Sequence, residues 1–142
     1  MKLVQHLLDT KGRDVISIHR DASVFDAIKL MADHAVGSLL VMDGDALIGI
    51  VTEREYARKV IRKGRSSEET PVGDIMTSQV ITAKPPQSVR ECMGLMSSRR
   101  VRHLPVVVDD GVIGIISIGD LVQAIIADQQ EEIEQLEQYI SG

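Results

Sequence analysis

Val101 to Leu121, VRHLPVVVDDGVIGIISIGDL, reads as two strands joined by a tight turn and running into a helix. The same stretch occurs earlier. Shifted back by 65 residues it lies on Val36 to Tyr56, VGSLLVMDGDALIGIVTEREY, and the match extends upstream without a gap to Val80 over Val15. Val15/Val80, Ser23/Ser88, Met31/Met96, Leu39/Leu104, Val41/Val106, Gly49/Gly114 and Ile50/Ile115 are among the identical pairs. A unit this long that occurs only twice does not suit a solenoid, which needs about three or more repeats to bury its faces. Two copies suggest a closed pair in which each half covers the other's apolar side.

Working outward, Ser38 to Met42 and Ala46 to Thr52 are strands separated by Asp43-Gly44-Asp45, and Asp109-Asp110-Gly111 supplies the same turn in the second copy. Ser23 with Asp26, and Ser88 with Glu91, are capping boxes. They are followed at helical spacing by Val24, Ala27, Ile28, Met31 and Ala35 in one copy and by Val89, Cys92, Met93 and Met96 in the other. A short strand at Val15 to Ile18 precedes the first box, so each repeat is β-α-β-β-α. Residues 1–10 form a short helix, Glu53 to Lys63 closes the first repeat, and Pro71 to Met76 forms a short helix that echoes residues 4–9. The expected class is α+β. Two pseudo-twofold-related repeats, residues 1–65 with the N-terminal helix and 66–128, form one compact pair, and residues 129–142 form a helical extension.

That extension continues a last helix from Leu121 to Ile140, where Val122, Ile126, Gln129, Ile133, Leu136 and Ile140 alternate by four and three. This is the spacing of a coiled-coil seam, which points to self-association, with a solvated acidic face as the alternative. The chain of 142 residues is 44% hydrophobic and carries a net charge of −5, and its tail holds Asp128, Glu131, Glu132, Glu134 and Glu137 without a Lys or Arg. Charge is therefore segregated rather than diffuse. No apolar run approaches the ~20 residues that cross a bilayer, and the N-terminus lacks the apolar core of a signal peptide, so a cytoplasmic protein without membrane contact is expected. The single cysteine, Cys92, reads as a small buried apolar residue.

Gly49-Ile50-Val51-Thr52 and Gly114-Ile115-Ile116-Ser117, each leading into a helix, together with Arg102-His103-Leu104-Pro105-Val106 and Asp74-Ile75-Met76-Thr77, resemble the cystathionine β-synthase (CBS) domain family. Thr52 to Lys59 followed by Lys63 to Ser67 is similar to stand-alone bacterial CBS pairs that have no attached enzyme or channel. The resemblance implies a tandem pair, dimerised, with adenosine-containing ligands in the clefts between repeats. AMP, ADP, ATP, S-adenosylmethionine and NAD(H) are all found in the family. It implies no catalytic residue and no catalytic cofactor.

The residues offer what an adenosine phosphate needs. Asp120, in the first turn of the last helix, is the expected acceptor for ribose hydroxyls, and Glu55 replaces it in the first copy, one methylene longer. Ser17, Thr82, Ser38, Thr52 and Ser117 lie at strand ends, and Ile18 and Pro105 complete the expected apolar contacts. Arg54, Arg58 and Arg62 recur at successive turns of one helix, with Lys63 and Arg65 beyond. A phosphate near that helix start would meet guanidinium and amide donors together. The alternative for this stripe is a solvated helix face. Arg102 and His103 are expected either to add phosphate contacts or to pair with the acidic tail.

No metal-ligand spacing links His6, His19, His34 and His103, and no nucleophile elbow, phosphate-binding loop or Cys/His pairing is present. The reading is therefore a non-catalytic sensor that binds an adenine nucleotide and signals to a separate, unknown protein. Its alternative is a constitutive dimerisation scaffold with vestigial clefts. Nucleic-acid binding is disfavoured by a pI near 5.3 and by only Phe25, Tyr56 and Tyr139 as aromatics.

Overall fold

The structure is a computed structural model that describes residues 2–109 and 111–141, so Asp110 of the second expected turn lies outside the described residues. Elements follow in the order α1 (Val4–Lys11), β1 (Ser17–Ile18), α2 (Val24–His34), β2 (Ser38–Asp43), β3 (Ala46–Thr52) and α3 (Glu53–Tyr56). A π-helical turn (Ala57–Ile61), a 3-10 turn (Val72–Asp74), α4 (Val89–Arg99), β4 (His103–Val108), β5 (Gly111–Ser117) and α5 (Ile118–Ser141) complete the chain. Among the described residues no helix is long and apolar enough to cross a membrane.

The caps explain where helices begin. Ser23 Oγ accepts the Asp26 N–H at 3.0 Å, and Ser88 Oγ accepts the Glu91 N–H at 3.1 Å. Both helices end at equivalent left-handed residues, Ala35 (φ 54°) and Arg100 (φ 57°), which turn the chain into the hairpin strands. In the first repeat β1 pairs parallel with β2, Ile18 opposite Val41, and β2 pairs antiparallel with β3, Ser38 opposite Thr52. In the second repeat β4 pairs with β5, and among the described residues the counterpart of the parallel β1–β2 pairing is reduced to an isolated bridge, Ala83 to Val106. Pro105 accounts for the loss. Its counterpart Leu40 donates its N–H to Ile16 O at 3.1 Å, a bond that a proline cannot make.

Packing divides the chain differently from the duplication. One unit holds residues 15–81 and 109–112, and the other holds 1–14, 82–108 and 113–142. α1 therefore lies with the second repeat. Val4 N–H donates to Gln87 O at 2.9 Å, Gln5 N–H to Pro85 O at 3.0 Å, and Val89 N–H to Lys2 O at 3.0 Å, while Val4, Leu7 and Leu8 are buried. The segment before the second repeat lies with the first. Ile50 and Thr77 exchange backbone hydrogen bonds of 3.0 and 2.9 Å, and Val24 N–H donates to Thr70 O at 2.8 Å.

The paired glycines permit both approaches. A Cβ on Gly49 would stand 2.6 Å from Met76 Sδ, and one on Gly114 would stand 2.7 Å from Leu8 Cδ2. In the first unit Val24, Ala27 and Met31 of α2 join Leu39, Val41, Val51, Val60, Val72 and Ile75 in one apolar core. Their counterparts on α4, Val89, Cys92 and Met96, are equally buried, so Cys92 fills the position of Ala27.

Candidate functional site

Each unit closes its β-hairpin with a hydroxyl residue that caps the following helix, and each cap is reciprocated by a carboxylate three residues on. In the first unit Thr52 Oγ1 accepts the Arg54 N–H at 3.2 Å, and Glu55 Oε2 accepts the Thr52 N–H at 2.9 Å as well as the Thr52 hydroxyl. Glu55 Oε1 accepts the Thr77 hydroxyl at 3.0 Å. In the other unit Ser117 Oγ accepts the Asp120 N–H at 3.2 Å, and Asp120 Oδ2 accepts the Ser117 N–H at 2.7 Å. These are two capping boxes at duplicated positions.

The start of each central strand is tied to the same place. Glu53 N–H donates to Gly37 O at 3.3 Å, and Ile118 N–H donates to Arg102 O at 2.9 Å. In the first unit the structure thus brings together Ser38, Thr52, Arg54 and Glu55. Ser17 and Ile18 lie one strand away, opposite Leu40 and Val41. In the second it brings together Arg102, His103, Ser117 and Asp120, with Thr82 beside the Ala83 bridge and Pro105 O accepting the Ala83 N–H at 2.8 Å.

The basic stripe comes out differently from its expected geometry. The π-helical turn replaces the 3.6-residue repeat by bonds five residues long, Arg62 N–H to Ala57 O and Arg65 N–H to Val60 O, both 3.0 Å. Arg62 therefore does not continue the face of Arg54 and Arg58 as a regular helix would carry it. Arg65 pairs with Asp74 at 3.0 Å, and Lys59 Nζ donates to Ile75 O at 3.1 Å, so these two cations brace the linker. Arg58, Arg62 and Lys63 are exposed. The Glu53 and Arg54 amides at the helix start already donate to Gly37 O and Thr52 Oγ1, which removes them as phosphate donors.

Lys11 is the site residue that sequence reading missed. Its Nζ lies 2.6 Å from Asp120 Oδ2 and donates to Ile115 O at 2.7 Å. Burial pushes the Asp120 carboxyl up, but hydrogen bonds from Lys11 and the Ser117 N–H, with the Lys11 charge, outweigh it and hold the group below its ordinary range. Asp120 is an anion at neutral pH. Thr77, of the Asp74-Ile75-Met76-Thr77 motif, likewise reaches Glu55 across 22 residues with no local signal to mark the contact. Burial, with Glu91 adding to it, pushes the Cys92 thiol up to about 11, which leaves it inert as a nucleophile. Among the described residues no group of three or more His, Cys, Asp or Glu could hold a metal ion.

The sequence pattern of the CBS domain matches residues 9–62 and 72–127, which together take in both capping-box carboxylates. The chain belongs to the CBS domain family. It is 48% identical over 127 residues to the CBS domain-containing protein CBSX3, mitochondrial, of Arabidopsis thaliana, covering 86% of this chain and 62% of that relative's length. A solved structure from Burkholderia ambifaria, described as a candidate signal-transduction protein with CBS domains, superposes with a TM-score of 0.87 at 50% identity, over 90% of this chain and 96% of that one. The CBS domain pair of protein MJ0100, solved with 5′-methylthioadenosine and S-adenosyl-L-methionine, has a TM-score of 0.79 at 26% identity, over 90% of this chain and 98% of that one.

Proposed function

We propose that this CBS pair is a non-catalytic regulatory module that binds an adenosine-containing ligand at the Asp120 site, and more weakly at the Glu55 site, and signals occupancy to a partner protein. The observation that carries the proposal is the Asp120 carboxylate, anchored through Oδ2 on the Ser117 N–H beside the start of α5. It is held as an acceptor for ribose hydroxyls. Arg102, whose carbonyl accepts the Ile118 N–H, and the adjacent His103 are assigned to phosphate in this reading. The adenosyl ligands of the MJ0100 pair give the reading its ligand class. Glu55 ranks second because both of its oxygens already accept hydroxyl or amide protons from Thr52 and Thr77.

A second reading, a dimerisation scaffold with vestigial sites, draws on α5. Every described residue of that helix past Asp128 is exposed, and Ile133, Leu136 and Ile140 line one stripe. We propose a homodimer through this stripe under either reading. A thermal-shift panel of AMP, ADP, ATP, NAD, NADH and S-adenosylmethionine separates the two. A ligand at ~100 times its dissociation constant stabilises the fold by about 2.7 kcal/mol. A shift with at least one of them is expected, and no shift with any favours the scaffold.

A further inference from the structure

We infer that Lys11 is a built-in competitor for the carboxylate of Asp120, so that a ribose diol that spans both carboxylate oxygens must displace the lysine ammonium from Oδ2. The inference rests on the adenosine reading above and deepens it. Lys11 Nζ sits 2.6 Å from Asp120 Oδ2 and 2.7 Å from Ile115 O, so the ammonium has one charged and one neutral acceptor. The same Oδ2 also accepts the Ser117 N–H at 2.7 Å. A single carboxylate oxygen therefore carries two donors, and the capping bond is the one that must persist if α5 is to keep its first turn.

Displacement is mechanically simple. The Lys11 side chain is 35% exposed and sits on a flexible stem at the last turn of α1. α1 itself is held elsewhere, by buried Val4, Leu7 and Leu8 and by the backbone bonds of Val4 and Gln5. The lysine can swing away while its helix stays docked. The duplicated carboxylate differs, since Glu55 Oε1 is met by the neutral Thr77 hydroxyl. The charged competitor therefore sets a threshold at one site of the pair and not at the other. It also sharpens the choice of ligand, because two ribose hydroxyls offset the lost ammonium better than the single hydroxyl of a 2′-deoxynucleoside.

Adenosine, which is uncharged, is the probe, and the Asp120 carboxyl carbon resonance of the full chain reads this site alone. Lys11→Met keeps the apolar stem and removes the charge. It should bind adenosine about two- to fivefold tighter than the parent, the range of a part-exposed ion pair, while Lys11→Arg follows the parent. Added salt should tighten binding to the parent and leave Lys11→Met unchanged. Without ligand, Asp120 should titrate at higher pH in Lys11→Met. An unchanged titration means that the pair does not form in solution, and equal or weaker adenosine binding by Lys11→Met means that the lysine does not compete. Either result overturns the inference and leaves the adenosine reading standing. Failure of adenosine to bind the parent and both variants overturns the two together.

Discussion

A carboxylate that closes a capping box is useful to the fold before any ligand arrives, and under the proposed function Asp120 combines both duties in one side chain. Because its native pKa lies below the ordinary 3.8, the stability it contributes is complete above that value. It is lost as the pH falls through the lower native value. Asp120→Asn keeps an acceptor for the Ser117 N–H but cannot ionise, so the gap in unfolding free energy between parent and variant should be largest near pH 6 and shrink toward pH 3. Urea unfolding at both pH values measures it, and a gap independent of pH would mean that ionisation of Asp120 is not linked to folding. Asp120→Ala also removes the acceptor of the Ser117 N–H, at about 1 kcal/mol of stability, and should weaken the adenosine ligand at least tenfold through the loss of charge-assisted bonds.

At the level of elements, the Gly-Ile motif is a packing device. Gly49→Ala drives a methyl toward Met76 Sδ and to 3.2 Å from Thr77 O, and Gly114→Ala drives one into the buried Leu8 side chain. Each should destabilise by about 1 to 3 kcal/mol. Gly114→Ala should also speed amide exchange at Val4 and Gln5, whereas Gly49→Ala should not. Gly94, exposed within α4 with nothing near its absent Cβ, is the control, since alanine there should stabilise by about 0.5 to 1 kcal/mol. Thermal melts with hydrogen exchange check all three. The same scale shows what sequence reading reaches. The duplication, the Ser23 and Ser88 caps and the hairpins are local patterns, so they are legible. The π-helical turn is not, because Ala57 to Ile61 carries no Gly or Pro to mark it. Lys11 and Asp120 meet across 109 residues, beyond any periodicity. The missing ladder bond at Pro105 was written in the chain, but only the comparison with Leu40 gives it meaning.

For the molecule as a whole, the described turns of α5 past Asp128 carry apolar side chains that their own unit does not cover. Leu121 and Ala124 are buried, whereas Leu136 is 61% and Ile140 82% exposed. Truncation after Asp128 should therefore leave the melting temperature of the fold nearly unchanged and convert a dimer toward monomer in light scattering. A full-length chain that is already monomeric at micromolar concentration would remove the seam as an interface. The exchange of leading segments between units has a different reach, because it governs the order in which a ribosome can complete them. Residues 15–81 carry nearly all of one unit and can condense while the rest is still being synthesised. α1 is made before residues 15–81 yet finds its backbone partners, Pro85 and Gln87, only once the second repeat has been made. Val4, Leu7 and Leu8 thus stay uncovered until the second repeat is made, although residues 15–81, synthesised after them, can already be packed.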